Sequence, residues 1–429
     1  HSLYPSTGLL AGFPAEAAMF AAVLMFGQYA VGLYAPRMRE DVKGVLLRAI
    51  SSFVIAFLVL AIIFVALLES DLNRTTYALA AAFAFGATLI NRIVFNRILN
   101  RDRFKRRVLV YGVGEAASAI SDTMRRRSDR RNFTIVGFVG AGDEPTRPQS
   151  ERITNPQQPL AEYVRQAEID QIVVALDAAM SDASAQALCQ CRDNGIEVVE
   201  LVDFFEREAG KILVDFVSPA RMAFIHSLPR RGISRLLKRG FDIAAGLLLF
   251  AVTWPVMLVT AVAIWLEDGI GAQILFSQER VGLDGKTFRL LKFRSMREDA
   301  EADGISRWAS RNDSRVTRVG AVIRRLRIDE LPQIINVLAG QMAFIGPRPE
   351  RPEFVADLSA KIPYYAARHC VKPGITGWAQ LNYPYGASVE DSRQKLQFDL
   401  YYFKNHSLVL DLMICIATVE VILFGKGAR

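Results

Sequence analysis

Lys292-Phe293-Arg294-Ser295-Met296, Asp329-Glu330-Leu331-Pro332-Gln333 and Gly346-Pro347-Arg348-Pro349 follow one another between residues 286 and 352 of a 429-residue chain. From Lys286 to Arg327 twelve Lys or Arg stand against five Asp or Glu, so the local field favours a polyanionic ligand and keeps carboxylates ionised. Leu331 to Ala339 has a helical pattern, with Pro332 suited to a first turn and Gly340 to the far end. Asp329 and Glu330 then lie near a helix N-terminus, whose unpaired N–H groups bind phosphate and lower carboxylate pKa values. That leaves Asp329 anionic, as a nucleophile or a metal ligand. Adjacent helical residues point about 100° apart, so the two carboxylates bracket a ligand and do not share a proton. One attacks and one holds metal, and Mg2+ is the expected cation because hard oxygens and substrate phosphate form its usual shell. Arg348, between two prolines, is a placed guanidinium fork that matches phosphate oxygens, with Lys292 and Arg324 as nearby cations. Taken alone, an Asp-Glu pair is ordinarily a helix cap with a solvated neighbour; the surrounding cations change that reading.

Composition places this stretch beside a membrane. Hydrophobic residues make up 51% of the chain, mean hydropathy is +0.20 and the formal charge is +8, which suits an anionic surface or phosphorylated ligands. Residues 15–34, 45–68 and 75–95 are each about twenty mostly apolar residues, the length a helix needs to cross hydrocarbon. Arg37, Arg39, Lys43 and Arg48 in the first link, and Arg97, Arg101, Arg103, Lys105, Arg106 and Arg107 after the third span, put both on the cytoplasmic side. Cys189, Cys191, Cys370 and Cys415 lack the paired spacing of a zinc site and read as reduced thiols. No nucleic-acid motif is present.

Strand-like runs at 107–111, 134–139, 171–176 and 196–202 alternate with helical patterns, which argues a parallel sheet with helices on its faces. Gly112-Val113-Gly114, with Ala117 in the third small position, resembles a dinucleotide fingerprint. The second strand closes Phe138-Val139-Gly140 without the acid that would grip a ribose. The reading is therefore a scaffold or oligomerisation domain that kept the fold, with Gly112 and Gly114 the positions a nucleotide would use. Residues 141–159 form a Pro-, Gln- and Arg-rich solvated loop.

The apolar run from Phe241 to Leu266 is long enough to span, but Pro255 removes a helix hydrogen bond and permits a sharp bend. A bent, re-entrant segment would return the chain to the cytoplasmic side, with Asp242 and the preceding cations at the interface. Leu408 to Phe424 is apolar yet carries Asp411 and Glu420, which favours a packed or interfacial helix over a span.

Taken in order, Arg239-Gly240-Phe241-Asp242, Phe276 to Gly282, Lys292 to Met296, Asp329 to Gln333, Gly346 to Pro349 and Pro373 to Gln380 resemble the bacterial sugar transferases, the monotopic phosphoglycosyl transferases of exopolysaccharide and O-antigen assembly. The resemblance covers residues 230–429, and the front half is similar to the large members, with a membrane helix bundle and a degenerate Rossmann-like domain. It implies three regions: membrane helices in 1–100, with a first helix of the usual four absent from this chain; an α/β Rossmann-like domain in 101–229; and an α/β catalytic domain in 230–429 with a re-entrant helix at about 238–266. It further implies transfer of a sugar-1-phosphate from a UDP-sugar to polyprenyl phosphate, usually undecaprenyl phosphate, with release of UMP at the cytoplasmic face of the bacterial inner membrane. Asp329 would attack the β-phosphate to form a phosphosugar-enzyme intermediate, Glu330 would bind Mg2+, and Lys292, Arg294, Arg324 and Arg348 would handle phosphate or nucleotide. A homodimer is a further expectation.

Departures from the family pattern are Trp254-Pro255 in place of Ser-Pro, Gly271-Ala272-Gln273 at a strand entry and Gly340-Gln341-Met342-Ala343 after the helix. They leave the nucleophile untouched and bear on the bend and on sugar choice. Two other readings compete: an NAD-dependent nucleotide-sugar enzyme using the Gly112 turn, and a non-catalytic export scaffold whose basic stretch binds lipid. The first lacks a Tyr-x-x-x-Lys pair, since Tyr163 is followed by Ala167.

Overall fold

The computed structural model describes residues 8–31, 33, 42–67, 79, 82–91, 94, 105–124, 130, 132–140, 153, 158–225, 232–269, 271, 273–297, 315–384, 386 and 388–424. The basic links around residues 34–41 and 95–104, and most of the 141–159 loop, lie outside them. The chain divides into two compact units, His1–Phe216 and Val217–Arg429.

The first unit begins with α1 (Gly8–Ala30), α2 (Val42–Leu67) and α3 (Ala82–Asn91). Its side chains are sorted inside out. Gln28, Arg48 and Ser52 are buried while Met25, Phe26, Tyr29, Phe57 and Phe83 face outward. Gln28 donates to Thr88 Oγ1 across the bundle at 3.1 Å. A Cβ on Gly27 would stand 2.9 Å from the Ser52 carbonyl, so α1 and α2 touch at backbone distance. Small residues and a polar seam at the contact, with apolar side chains outside, are what hydrocarbon surroundings favour.

Next come β1 (Arg106–Tyr111), α4 (Glu115–Thr123), β2 (Phe133–Val139), α5 (Leu160–Gln166), β3 (Gln171–Val174), α6 (Asp182–Asp193), β4 (Glu197–Glu200) and α7 (Leu201–Ala209). The four strands form a parallel sheet in the order β2-β1-β3-β4, as the alternating pattern required. Successive strand residues point to opposite faces. Val108 and Val110 accordingly meet Ile120, Met124, Phe204 and Phe205 on one side, and Leu109 and Tyr111 meet Val164, Leu188 and Cys191 on the other.

The glycine turn after β1 leaves no open phosphate cradle at Gly112 and Gly114, the positions a nucleotide would use. The α4 N-terminus is filled by the chain itself: Asp177 Oδ2 accepts from Glu115 N at 2.6 Å and Oδ1 from Ala116 N at 2.7 Å. Gly112, at φ +136°, would carry a Cβ only 1.9 Å from the Ala175 carbonyl. These glycines serve close backbone approach to the β3 end, and the helix-end anion is an internal carboxylate.

The second unit comprises α8 (Pro219–Ile225), α9 (Ile233–Asp268), β5 (Leu275–Val281), β6 (Thr287–Phe293), α10 (Arg318–Arg325), α11 (Gln333–Leu338), β7 (Ala343–Ile345), α12 (Pro352–Lys361), β8 (Gly374–Thr376), α13 (Trp378–Asn382), α14 (Val389–Asn405) and α15 (Leu408–Phe424). Two strand pairs organise it, β5 with β6 antiparallel and β7 with β8 parallel. Among the described residues α9 is the helix long and apolar enough to cross a membrane, and it runs through Pro255 as 36 helical residues. Its middle exposes Leu247, Leu248, Phe250, Val252, Trp254, Leu258 and Val259.

Both ends of α9 are gripped by the surrounding α/β elements. At the first end Arg239 donates to the Val337 and Leu338 carbonyls, capping α11, and Asp242 Oδ1 accepts from Phe344 N at 2.9 Å. Lys238 joins Asp242 (3.0 Å) to Asp411 (2.9 Å) of α15, so Asp242 is buried in a charged cluster and does not lie at an open interface. At the other end Ile264 packs on Phe293 and Ile323, and Glu267 accepts from Arg318 N and Val319 N at the start of α10. The C-terminal helix α15 is packed as its charges demanded, with Asp411 and Glu420 both buried.

Candidate active site

Asp329 and Glu330 lie in a 3-10 turn, Ile328–Glu330, wedged between α10 and α11. The turn is entered through Arg327 in the left-handed region at φ +61°, which swings the chain out of α10 and brings both carboxylates to the β6 side. Expected helix ends are recovered in part: Pro332 is the N-cap of the six-residue α11, and Gly340 follows its end at φ +82°.

Glu330 is the hub. Its Oε1 receives Arg348 Nη2 at 2.7 Å and Lys292 Nζ at 3.4 Å, its Oε2 receives Arg348 Nη1 at 3.3 Å, and Arg327 Nη1 lies 3.8 Å away. Burial alone would raise the Glu330 pKa, but Arg348 and Lys292 overrule it and hold the carboxyl well below its usual range. Asp329 differs. It is 8% exposed, and its buried Oδ1 has no hydrogen-bond partner. Burial and the neighbouring Glu330 charge raise its pKa, against the opposing pull of Lys292, Arg324 and Arg327. The sequence-based expectation that a helix end lowers the Asp329 pKa is thus corrected: desolvation and a like charge outweigh the first turn of so short a helix. Lys292 is pulled below its usual range by burial and by Arg348, against the attraction of Glu330.

The predicted cations divide. Lys292 and Arg348 converge on Glu330 as anticipated, and Arg324, half-buried in the last turn of α10, acts on Asp329 through its charge. Arg294 does not join them: its Nη2 pairs with Asp268 at 2.8 Å and ties the end of α9 to the segment after β6. Position two along an extended strand shares the face of Lys292, but β6 ends at Phe293 and that alternation is lost. Sequence reasoning also missed Arg280 and Gln333. With Leu290, Lys292, Arg348 and Pro349 they line a small cavity beside the Glu330 hub. Both stand inside quoted motifs, so position within a motif was their only signal.

Placement of Lys292 depends on Asn336, whose side chain accepts from Leu291 N at 3.0 Å and donates to the Arg289 carbonyl at 2.8 Å, locking α11 to β6. The Pro347–Pro349 turn depends on the segment following Lys372. A Cβ on Gly374 would lie 2.1 Å from Gly346 N, and one on Gly377 2.2 Å from the Gly346 carbonyl, so only glycines allow the two strands this approach. The rigid turn from Lys372 to Gln380 therefore braces the arginine loop.

A family model described as bacterial sugar transferase matches residues 233–425, and one described as CoA-binding domain matches residues 29–200. The chain is 32% identical over 339 residues to the UDP-glucose:undecaprenyl-phosphate glucose-1-phosphate transferase of Escherichia coli (strain K12), covering 79% of this chain and 72% of that one. The chain belongs to the bacterial sugar transferase family. Within that family it is 43% identical over 242 residues to the UDP-N-acetylgalactosamine-undecaprenyl-phosphate N-acetylgalactosaminephosphotransferase of Aeromonas hydrophila, covering 56% of each. It is 31% identical over 357 residues to the undecaprenyl-phosphate glucose phosphotransferase of Komagataeibacter xylinus. It spans 56% of the Aeromonas protein's length and 65% of the Komagataeibacter protein's. The α9-to-α15 module, with the Glu330 hub at its centre, is the part that the sugar transferase model covers. The parallel sheet falls within the CoA-binding match, yet its phosphate position at the α4 N-terminus is taken by Asp177, so the residues there do not fit a nucleotide or CoA diphosphate.

Proposed function

We propose that this sugar transferase moves a sugar-1-phosphate from a UDP-sugar to polyprenyl phosphate, releasing UMP through a covalent Asp329 intermediate. The observation that carries the reading is the contrast within the carboxylate pair: Glu330 is paired with Arg348 and Lys292, whereas Asp329 keeps a buried oxygen with no partner. A desolvated carboxylate of raised pKa is the better nucleophile wherever the pH leaves it ionised. Relatives named for UDP-sugars and undecaprenyl phosphate support the substrate class.

In the first step an Asp329 oxygen forms a bond to the β-phosphorus while the bridging oxygen–β-phosphorus bond breaks, and UMP leaves with the electron pair. Then an oxygen of polyprenyl phosphate attacks the same phosphorus, the Asp329–phosphorus bond breaks, and the carboxylate is restored. Lys292 and Arg348 stabilise charge on the transferring phosphoryl oxygens, and the buried turn excludes water that would hydrolyse the intermediate. Among the described residues no three His, Cys, Asp or Glu gather, so a cation here would rest on one carboxylate and substrate phosphate, a shell that suits Mg2+. Glu330 would hold it, and Mg2+ when bound supplies charge neutralisation at the diphosphate. The alternative NAD-dependent reading is disfavoured by the Asp177 plug.

The α9 helix supports the membrane placement. Its exposed apolar middle lies between two ends held by elements of one unit, which is what a helix that enters and leaves the bilayer on the same side requires. Pro255, which lacks a helix N–H, permits the bend that this path needs; the catalytic module then sits on the cytoplasmic face, and the lipid acceptor arrives from the bilayer beside α9. The deciding assay uses the membrane-embedded chain with a panel of UDP-sugars, undecaprenyl phosphate and Mg2+. UMP release and radiolabelled sugar-phosphate retained on the protein in the absence of acceptor are expected. Acceptor-dependent transfer without any retained label would refute the covalent step.

A further inference from the structure

Four consecutive carbonyls of the loop that carries Arg348 each have a fixed donor. Pro347 O accepts from Gly374 N (2.9 Å), Arg348 O from Arg368 Nη2 (3.0 Å), Pro349 O from Arg280 Nη1 (3.1 Å) and Glu350 O from Val281 N (2.9 Å). Two of the four donors are guanidinium groups, an expensive choice for holding main chain where a backbone amide would do. Arg368 is the more committed. Its side chain is 6% exposed, its Nη2 lies 2.8 Å from Asp399 Oδ2, and its Nη1 donates to Tyr365 Oη at 2.7 Å. Asp399, on α14, is itself 2% exposed.

We propose that Arg368, anchored by Asp399 and Tyr365, is a positioning residue that fixes the direction of the Arg348 guanidinium by gripping the Arg348 carbonyl. Two prolines restrict the backbone on either side of Arg348 but leave the peptide planes free to tilt together. A donor on the Arg348 carbonyl removes that freedom and sets the fork, which meets Glu330 through both terminal nitrogens. Arg368 Nη2 donates to the Arg348 carbonyl and stands in ion-pair contact with Asp399, so the buried ion pair is also the support of the loop. Arg368 touches neither Asp329 nor the cavity lined by Lys292 and Arg348, so its effect passes through Arg348.

This inference rests on the proposed diphosphate site, and a double-mutant cycle in the full membrane-embedded chain separates the two. UDP affinity by calorimetry and kcat/KM for UMP release are measured for Arg368→Met, Arg348→Ala and the double variant. Arg368→Met is expected to weaken both by about tenfold when Arg348 is present and by less than about twofold in the Arg348→Ala background, the coupling of residues acting as one unit. Arg368→Lys, which keeps a charged donor, should recover part of the loss, and the melting temperature should not predict the activity order. Equal losses in both backgrounds, or a wild-type chain without affinity for UDP, overturn the positioning role. Bound UDP with no UMP release would sink the transfer reading alone and leave the binding cycle to decide. Should Arg368→Met fail to fold, Tyr365→Phe removes one anchor of the guanidinium and runs the same cycle.

Discussion

Replacing Asp329 with Asn separates a nucleophile from a structural cap because the two roles predict opposite signs. Asp329 is buried, its Oδ1 lacks a partner, and Glu330 is its sequence neighbour. Two carboxylate charges roughly 5 Å apart repel by about 3 kcal/mol at an effective dielectric near 20. Lys292, Arg324 and Arg327 oppose this, yet burial and the Glu330 charge leave the net pKa shift upward, so the folded state still disfavours the ionised form. The sign follows: a carboxyl whose pKa is raised on folding contributes stability below its unfolded value, and that contribution is lost as pH rises through the folded value. At neutral pH Asp329→Asn should therefore raise stability by about 0.5–2 kcal/mol, the usual scale for relieving a strained functional site. Transfer should fall by at least about a thousandfold, as for loss of a covalent nucleophile. Calorimetric melting of the membrane-embedded variant and UMP release read the two quantities. Retained transfer, or a lowered melting temperature accompanying the lost activity, would refute the argument.

Transfer should also show a bell-shaped pH profile. Its acidic limb follows Asp329, above the ordinary carboxylate range, so activity is lost as pH falls through it; its basic limb follows Lys292, below the ordinary lysine range, so activity is lost as pH rises. Lys292→Arg should move the basic limb upward, and an unmoved limb would remove Lys292 from the site. Asp177→Ala leaves two helix-end N–H groups without their carboxylate and should cost the parallel-sheet unit about 1–3 kcal/mol, read by denaturant unfolding; no change would mean that water replaces the plug at no cost. Chelation of Mg2+ should abolish UMP release while leaving the melting temperature within a few degrees, because Glu330 keeps Arg348 and Lys292 as partners; activity in chelator would exclude the metal.

Much of the architecture was legible in residue order. Val108 to Tyr111, Ile172 to Val174 and the helical patterns between them admit little besides a parallel sheet, because strands buried on both faces read as unbroken apolar runs. Asp411 and Glu420 marked α15 as packed. The Asp329-Glu330 pair, Lys292 and Arg348 announced themselves through charge and proline. Arg294 did not behave as its motif suggested, because its role depended on where β6 stops and on Asp268, twenty-six residues earlier. Asp177 was invisible as a plug, since nothing in its neighbourhood marks it as the residue that reaches the α4 N-terminus across sixty-two positions.

By itself the sequence determined the alternating elements of the parallel sheet, the apolar length of α9 and the chemical vocabulary of the site, all of which depend on local pattern and residue type. Tertiary structure alone decided which charges meet. Glu330 became the neutralised partner and Asp329 the desolvated one because Arg327 turns the chain through a left-handed step and places one carboxylate against Arg348 and Lys292 and the other out of their direct reach. Electrostatic energies vary with distance and burial, and neither quantity is written in the order of residues.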